Sequence, residues 1–158
     1  IGIDAAVDSW AGPDGSDQDF LFQSGWAEIK SVSLASETVR ISSLQQLQQE
    51  KEGNLVVYIL ESTTAGEDRI SLIDVVSEIK TKLENHARYL DRFDVKLYKY
   101  GYRKNHENEY RENYFRFIEK REYVVNDSFP KLVGNNVSSE IVSCKYELSL
   151  AAIEKYRR

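Results

Sequence analysis

The sequence has little of the residue types that build disulfide-bonded or zinc-stabilised folds. It contains one cysteine, Cys144, and two histidines, His86 and His106. A single thiol cannot form an internal disulfide, and neither histidine has the spacing of a zinc motif, so disulfide scaffolds and Cys-based zinc clusters are excluded. A lone thiol suits a reducing compartment, and we therefore predict a cytoplasmic location.

Long apolar runs and methionine are also missing. No apolar stretch approaches the roughly 20 residues of a membrane span, and no signal peptide is visible. A chain of 158 residues with 41% hydrophobic and 30% charged residues is typical of a globular protein. We predict one domain over residues 1–158. Because the chain begins at Ile1, inside a helix-like pattern, and contains no Met, we expect it to be the C-terminal part of a longer protein.

Hydrophobic periodicity predicts an α/β protein. Helices are predicted at 1–10, 43–53, 71–85 and 87–101, with Ser71 as an N-cap and Gly101 near a helix end. Alternating or β-branched runs predict strands at 19–22, 26–33, 37–43, 54–62, 114–125 and 141–150. Turn-rich sequence at 11–17 and 127–136 predicts loops. This order favours a mixed sheet flanked by helices.

Three charged residues interrupt the apolar hairpin DFLFQSGWAEIK (19–30). Side chains alternate along a strand, so Glu28 and Lys30 point to one face, and pairing across the turn can bring Asp19 close to Glu28. Two carboxylates suit Mg²⁺, which takes one or two carboxylates together with waters and phosphate oxygens. A nearby lysine can position a metal-bound water or stabilise charge on an attacked phosphate. The alternative is an ordinary polar sheet face on which Glu28 and Lys30 form cross-strand pairs.

The D-x8-E-x-K spacing of Asp19, Glu28 and Lys30 resembles the PD-(D/E)XK nuclease superfamily. Several longer stretches, in order along nearly the whole chain, resemble the C-terminal part of one family of PD-(D/E)XK motif proteins: SWAGPDGSDQDFLF, WAEIKSVS, VRISSLQQL, SLIDVVSEI, GY at 101–102, DSFPKL and YELSLAAIEKY. Members of that family tend to occur beside restriction-modification or phage-defence genes.

The resemblance implies a restriction-endonuclease-like αβββαβ core and a metal-dependent DNA endonuclease of a restriction or phage-defence system. It implies Asp19 and Glu28 as ligands of Mg²⁺, with Mn²⁺ as a substitute, and Lys30 as the third catalytic residue. Implied partners are DNA, a methyltransferase or ATPase of the same system, and a second copy in a homodimer. Two features depart from the superfamily pattern: Gln18 stands where the motif has Pro, and neither Asp4 nor Asp8 can be assigned as an acidic ligand from the first helix.

Charge is unevenly distributed along the chain. Residues 1–95 hold 8 Lys and Arg against 17 Asp and Glu, whereas residues 96–158 hold 13 against 9. A basic, tyrosine-rich segment at 99–121 can follow a nucleic-acid backbone, although its interspersed glutamates would repel the same phosphates. The candidate phosphate contacts are Arg103, Lys104, Arg111 and Arg116.

Two readings from other functional classes stay open. A catalytically silent PD-(D/E)XK module would bind nucleic acid or hold a defence complex together, and a plain α/β interaction domain would have no site. The interaction-domain hypothesis fails if the side chains of Asp19, Glu28 and Lys30 converge in the fold. Gln45 and Gln46, just before the central strand, are interpreted as a solvated helix face, although the superfamily often uses a polar residue there.

Overall fold

The protein is a mixed α/β structure, described here by a computed structural model over residues 1–64 and 66–158. Its strands are β1 (Phe20–Phe22), β2 (Gly25–Ser33), β3 (Thr38–Ile41), β4 (Gly53–Thr63), β5 (Arg69–Ser71), β6 (Tyr114–Val125) and β7 (Tyr146–Ser149). Its α-helices are α1 (Ile3–Ser9), α2 (Leu72–Lys82), α3 (Ala87–Tyr100), α4 (Glu107–Arg111) and α5 (Leu150–Ile153).

Two sheets organise these strands. The larger has the order β1-β2-β4-β6-β5, and the smaller pairs β3 with β7. β1 and β2 form the predicted antiparallel hairpin, whereas β2 and β4 run parallel. This mixed sheet with flanking helices confirms the predicted α/β class and is consistent with a restriction-endonuclease-like fold.

The chain packs as two compact units. The helical unit comprises Ile1–Ser16 and Glu61–Phe117, and the sheet unit comprises Asp17–Leu60 and Ile118–Arg158. Neither unit is continuous in sequence, because β4 and β6 each contribute residues to both.

The helical unit has its own apolar core between α1, α2 and α3. Its buried residues are Val7, Val76, Leu83, Phe93 and Leu97. Ser71 caps α2 through a capping box with Asp74, and α3 ends at Gly101, whose φ of 108° favours glycine. The helices predicted at 71–85 and 87–101 are thus confirmed.

The sheet unit has a second core under β2, β3 and β4. Its most deeply buried side chains include Ile41, Leu47, Leu55, Val57 and Tyr123. Burying each of the four aliphatic side chains among them contributes about 1.5–3 kcal/mol.

Trp26 anchors the start of β2 in this core. It lies opposite Gly53 on β4, where a Cβ would approach the indole to 2.1 Å. The indole Nε1 donates to the backbone carbonyl of Lys51 at 2.8 Å. Only glycine at position 53 therefore lets the ring lie over β4 and fix the hairpin that carries Glu28 and Lys30.

The helix predicted at 43–53 was wrong, since only a 3-10 turn at Gln45–Leu47 forms there. In an α-helix the carbonyls of Gln45 and Gln46 would accept bonds from the backbone N–H groups four residues on. Here they accept from the side-chain amide of Gln18, at 2.7 Å and 3.3 Å. A distant side chain has replaced the helical hydrogen bonds, and a local pattern cannot show this.

Two predicted strands differ in length or partner. The strand predicted at 37–43 forms as β3 but pairs antiparallel with β7, while β4 takes the place beside β2. The strand predicted at 141–150 is shortened to β7, since residues 141–145 form no helix or strand. At its other end, Ser149 accepts a hydrogen bond from the backbone of Ala152 and starts α5 at Leu150. Among the residues that the structure describes, no helix is long and apolar enough to cross a membrane.

Candidate active site

The hairpin register places Asp19 directly opposite Glu28. Phe20 pairs with Ala27, so Asp19, the residue before Phe20, faces Glu28, the residue after Ala27. Asp19 lies one residue before β1, and its Oδ2 accepts a hydrogen bond from the backbone N–H of Ile29 at 2.8 Å. That bond holds one carboxylate oxygen of Asp19 against β2.

Glu28 is a buried carboxylate, and one of its two oxygens has no hydrogen-bond partner among the described residues. Its residue is 2% exposed, and its Oε1 lies 2.7 Å from Lys30 Nζ. Its Oε2 is buried and has no hydrogen-bond partner among residues 1–64 and 66–158. A buried carboxylate oxygen without a partner costs free energy that folding alone does not recover. This orphan oxygen is available to accept a ligand.

Burial raises the pKa of the Glu28 carboxyl from its ordinary value of 4.5 to about 7. The negative charge of Asp19 also raises it, whereas the hydrogen bond from Lys30 and the backbone N–H of Asp19 lower it. Desolvation is the largest of these effects, so the carboxylate is poorly compensated when it is ionised. Such a shift is typical of functional sites.

Lys30 is fixed by two partners. Besides Glu28, its Nζ donates to Oε1 of Gln46 at 3.2 Å, and the same oxygen accepts from the backbone N–H of Ser42 at 2.7 Å. The Lys30 side chain is 18% exposed, so one side of the ammonium still meets solvent. The ammonium is therefore oriented but accessible.

Sequence reasoning missed the roles of Gln18 and Gln46. Gln46 is not part of a solvated helix face, as interpreted, but holds Lys30; Gln45 is exposed as expected. Gln18 is 1% exposed, and besides the two bonds from its amide nitrogen, its Oε1 accepts from Gln49 Nε2 at 2.7 Å. Its position directly before Asp19, where an apolar Pro is the motif residue, was the available signal.

We expect Gln18→Leu to destabilise the protein by about 1–3 kcal/mol, because the buried Gln18 amide would no longer donate to the carbonyls of Gln45 and Gln46 or accept from Gln49. Urea unfolding would measure this loss. The exposed Gln23→Leu is the control, expected to stay within about 0.5 kcal/mol of the wild type. Equal stability of both variants would contradict the anchoring role.

The two carboxylates fit a hard divalent cation in donor chemistry and number. Mg²⁺ is commonly held by one or two carboxylates plus waters and substrate phosphates rather than by an all-protein cage. No group of three or more His, Cys, Asp or Glu side chains suited to a metal occurs within residues 1–64 and 66–158. Asp4 and Asp8 are engaged inside the helical unit, by His86 at 2.9 Å and by Arg92 respectively.

The basic residues singled out as DNA contacts all lie in the helical unit. Arg116 pairs with Glu61 at 3.2 Å and Asp68 at 2.9 Å. Arg103 lies 4.0 Å over the ring of Tyr98 and donates to the carbonyl of that residue. Lys104 and Arg111 are exposed. Their role in DNA binding stays a prediction.

The family described as "Putative PD-(D/E)XK family member, (DUF4420)" matches residues 1–151, and the chain belongs to this family. The superfamily resemblance predicted from the sequence is thereby confirmed. Proteins of the PD-(D/E)XK superfamily are usually nucleases and typically use divalent metals. Searches among curated proteins and among solved structures gave no significant match.

Proposed function

We propose that the protein is a Mg²⁺-dependent endonuclease that hydrolyses phosphodiester bonds of DNA, within a restriction or phage-defence system. The observation that carries the proposal is the buried Glu28 carboxylate, with an orphan oxygen, next to Asp19 and paired with Lys30. Membership of the PD-(D/E)XK family supports the reaction class.

Asp19 and Glu28 would hold the metal. When bound, Mg²⁺ supplies a Lewis acid for the phosphate and a more acidic water as nucleophile. Its positive charge beside Glu28 also compensates the carboxylate that burial destabilises. Cation binding would therefore stabilise the ionised form of Glu28, which burial destabilises in the metal-free protein.

Lys30 acts on the reacting groups. Held by Glu28 Oε1 and Gln46 Oε1, its ammonium has one remaining direction in which to donate a hydrogen bond. A donor fixed there can orient the attacking water or stabilise the charge that develops on the phosphate oxygens. Its orientation is set before substrate arrives, so no reorganisation is needed during the reaction.

Plasmid cleavage by the full-length protein tests this function. We expect nicking or cutting of supercoiled plasmid with Mg²⁺ or Mn²⁺ but not with EDTA, and its loss in Asp19→Ala and Lys30→Ala. Asp17→Ala is the matched control, because it removes an exposed acid two residues from Asp19 and is expected to retain activity.

The outcome opposed to this proposal is also specific. If the folded wild type binds DNA but does not cut it with either metal, and the variants bind and unfold like the wild type, the enzyme proposal fails. The silent PD-(D/E)XK module would then be the function supported.

A further inference from the structure

A cleft of about 610 Å³ lies in the sheet unit beside Lys30. One wall is formed by residues 29–33 of β2, and the other by residues of the β2–β3 turn and β3, including Ser36, Thr38 and Arg40. We call it the β2–β3 cleft. Lys30 contributes to its wall, so the cleft borders the residue that carries the candidate catalytic ammonium.

The β2 wall is an open strand edge. β1 pairs with β2 only as far as Ala27, and β4 covers the opposite edge through Ser33. The N–H of Ile29 points to the β1 side, where it donates to Asp19. Since alternate residues present their backbone groups to opposite edges, those of Ser31 face the same side, where the described residues supply no strand partner.

The cleft wall is mostly polar and carries one unengaged cation. Arg40 is exposed and has no ion-pair partner within residues 1–64 and 66–158. The acid of the wall, Glu147, lies opposite Arg40 in the β3–β7 register, and its carboxylate accepts a hydrogen bond from Thr38 Oγ1 at 2.7 Å rather than forming an ion pair with Arg40. Ser33 and Ser36 hold the turn through a hydroxyl–hydroxyl bond of 2.8 Å. Backbone N–H donors, hydroxyls and a free guanidinium are the groups that bind phosphate oxygens.

We propose that the β2–β3 cleft binds the phosphodiester backbone of the DNA substrate. Arg40 contacts a phosphate there and positions the DNA strand toward Lys30. This assignment rests on the proposed function, because the substrate is the one named there. It differs from the prediction made from the basic segment at 99–121. There Arg103 and Arg116 are engaged by neighbouring groups, whereas Arg40 is free within the described residues.

DNA binding by the full-length protein tests this inference without cleavage. Fluorescence anisotropy of two labelled 20-bp duplexes of unrelated sequence, in EDTA and over a range of salt concentrations, gives affinity and its salt dependence. We expect Arg40→Ala to weaken both duplexes alike, by about tenfold. The slope of log affinity against log salt should fall by about 0.9, the value for one phosphate contact.

Two variants serve as controls. Lys155→Ala removes one exposed positive charge from the same unit outside the cleft wall and is expected to change affinity less than twofold. Arg40→Lys keeps the charge and is expected to restore the salt slope, with affinity between that of the wild type and Arg40→Ala.

The outcomes separate this inference from the nuclease proposal. If the wild type cuts plasmid but Arg40→Ala binds duplex like Lys155→Ala, the cleft assignment is overturned and the nuclease stands. If Arg40→Ala loses affinity as expected but the wild type never cuts, the cleft stands as a DNA-binding surface and the nuclease fails. If the wild type binds neither duplex, the assignment is overturned, and an extended peptide paired to the open β2 edge becomes the favoured occupant.

Discussion

Glu28→Gln is expected to make the metal-free protein more stable at pH 8 while abolishing metal-dependent cleavage. A carboxyl pKa of about 7 in the folded state against 4.5 corresponds to about 3 kcal/mol of unfavourable ionisation. Water near the half-buried Asp19 and Lys30 screens part of this cost. We therefore expect a gain of about 1–3 kcal/mol in the free energy of unfolding.

The sign follows from proton binding. Between pH 4.5 and about 7 the folded wild type holds more protons on Glu28 than the unfolded chain does, so its stability falls as pH rises through that window. A glutamine does not titrate. The advantage of Glu28→Gln should thus be present at pH 8 and largely gone at pH 5, where Glu28 is protonated in the folded state.

Urea unfolding in EDTA at both pH values measures this difference. Glu37→Gln is the matched control, since the same chemical change is made at an exposed glutamate and should leave stability within about 0.5 kcal/mol. A Glu28→Gln protein less stable than wild type at pH 8 would show that Lys30 fully compensates the buried charge. The site would then not hold the strain proposed for it.

A residue that destabilised the metal-free protein and bound the metal, as proposed for Glu28, would explain why the hairpin carries charge among apolar neighbours. The cost of ionised Glu28 is small beside the burial of the surrounding core, so the fold tolerates it. In the proposed function, a cation would supply the missing partner of Oε2. Stability and function would then be opposed at a single carboxylate.

The sequence predicts the elements whose signal is local. The run at 54–62 is nearly continuous in apolar residues, as expected of a central strand, and β4 does lie between β2 and β6. The Ser71 cap and the Gly101 terminus are short-range features. The hairpin spacing also predicts that Asp19 and Glu28 face each other, and the register places them so.

What the sequence does not predict depends on contacts between distant residues. Nothing in the local pattern shows that Gln18 replaces the helical hydrogen bonds at Gln45 and Gln46, or that Gln46 then meets Lys30. In the same way, the partner of β3 is β7, more than a hundred residues later. Register within a hairpin is set by its turn, whereas partner choice between strands is set by tertiary packing.

Lys30→Met is expected to alter both metal binding and the rate of cleavage, and the two effects can be separated by pH. The Lys30 ammonium lowers the pKa of Glu28 through a hydrogen bond of 2.7 Å, so its removal raises that pKa above about 7. Because the ligand must be ionised, metal affinity at neutral pH should fall and should recover as pH rises. Titration calorimetry with Mn²⁺ between pH 6 and pH 9 measures this recovery.

Cleavage should not recover with metal binding if Lys30 acts on the reacting groups. At saturating metal and pH 9, we expect Lys30→Met to cut plasmid about 10²–10³-fold more slowly than the wild type in single turnover. Lys30→Arg keeps the cation beside Glu28 and should restore metal affinity, but its larger planar group cannot reproduce the position of Nζ, so the rate should stay below wild type. A Lys30→Met rate that returned to the wild-type value as metal binding recovered would contradict this role. Lys30 would then serve only to keep Glu28 ionised, and the donor for the water or phosphate would have to be sought elsewhere in the protein.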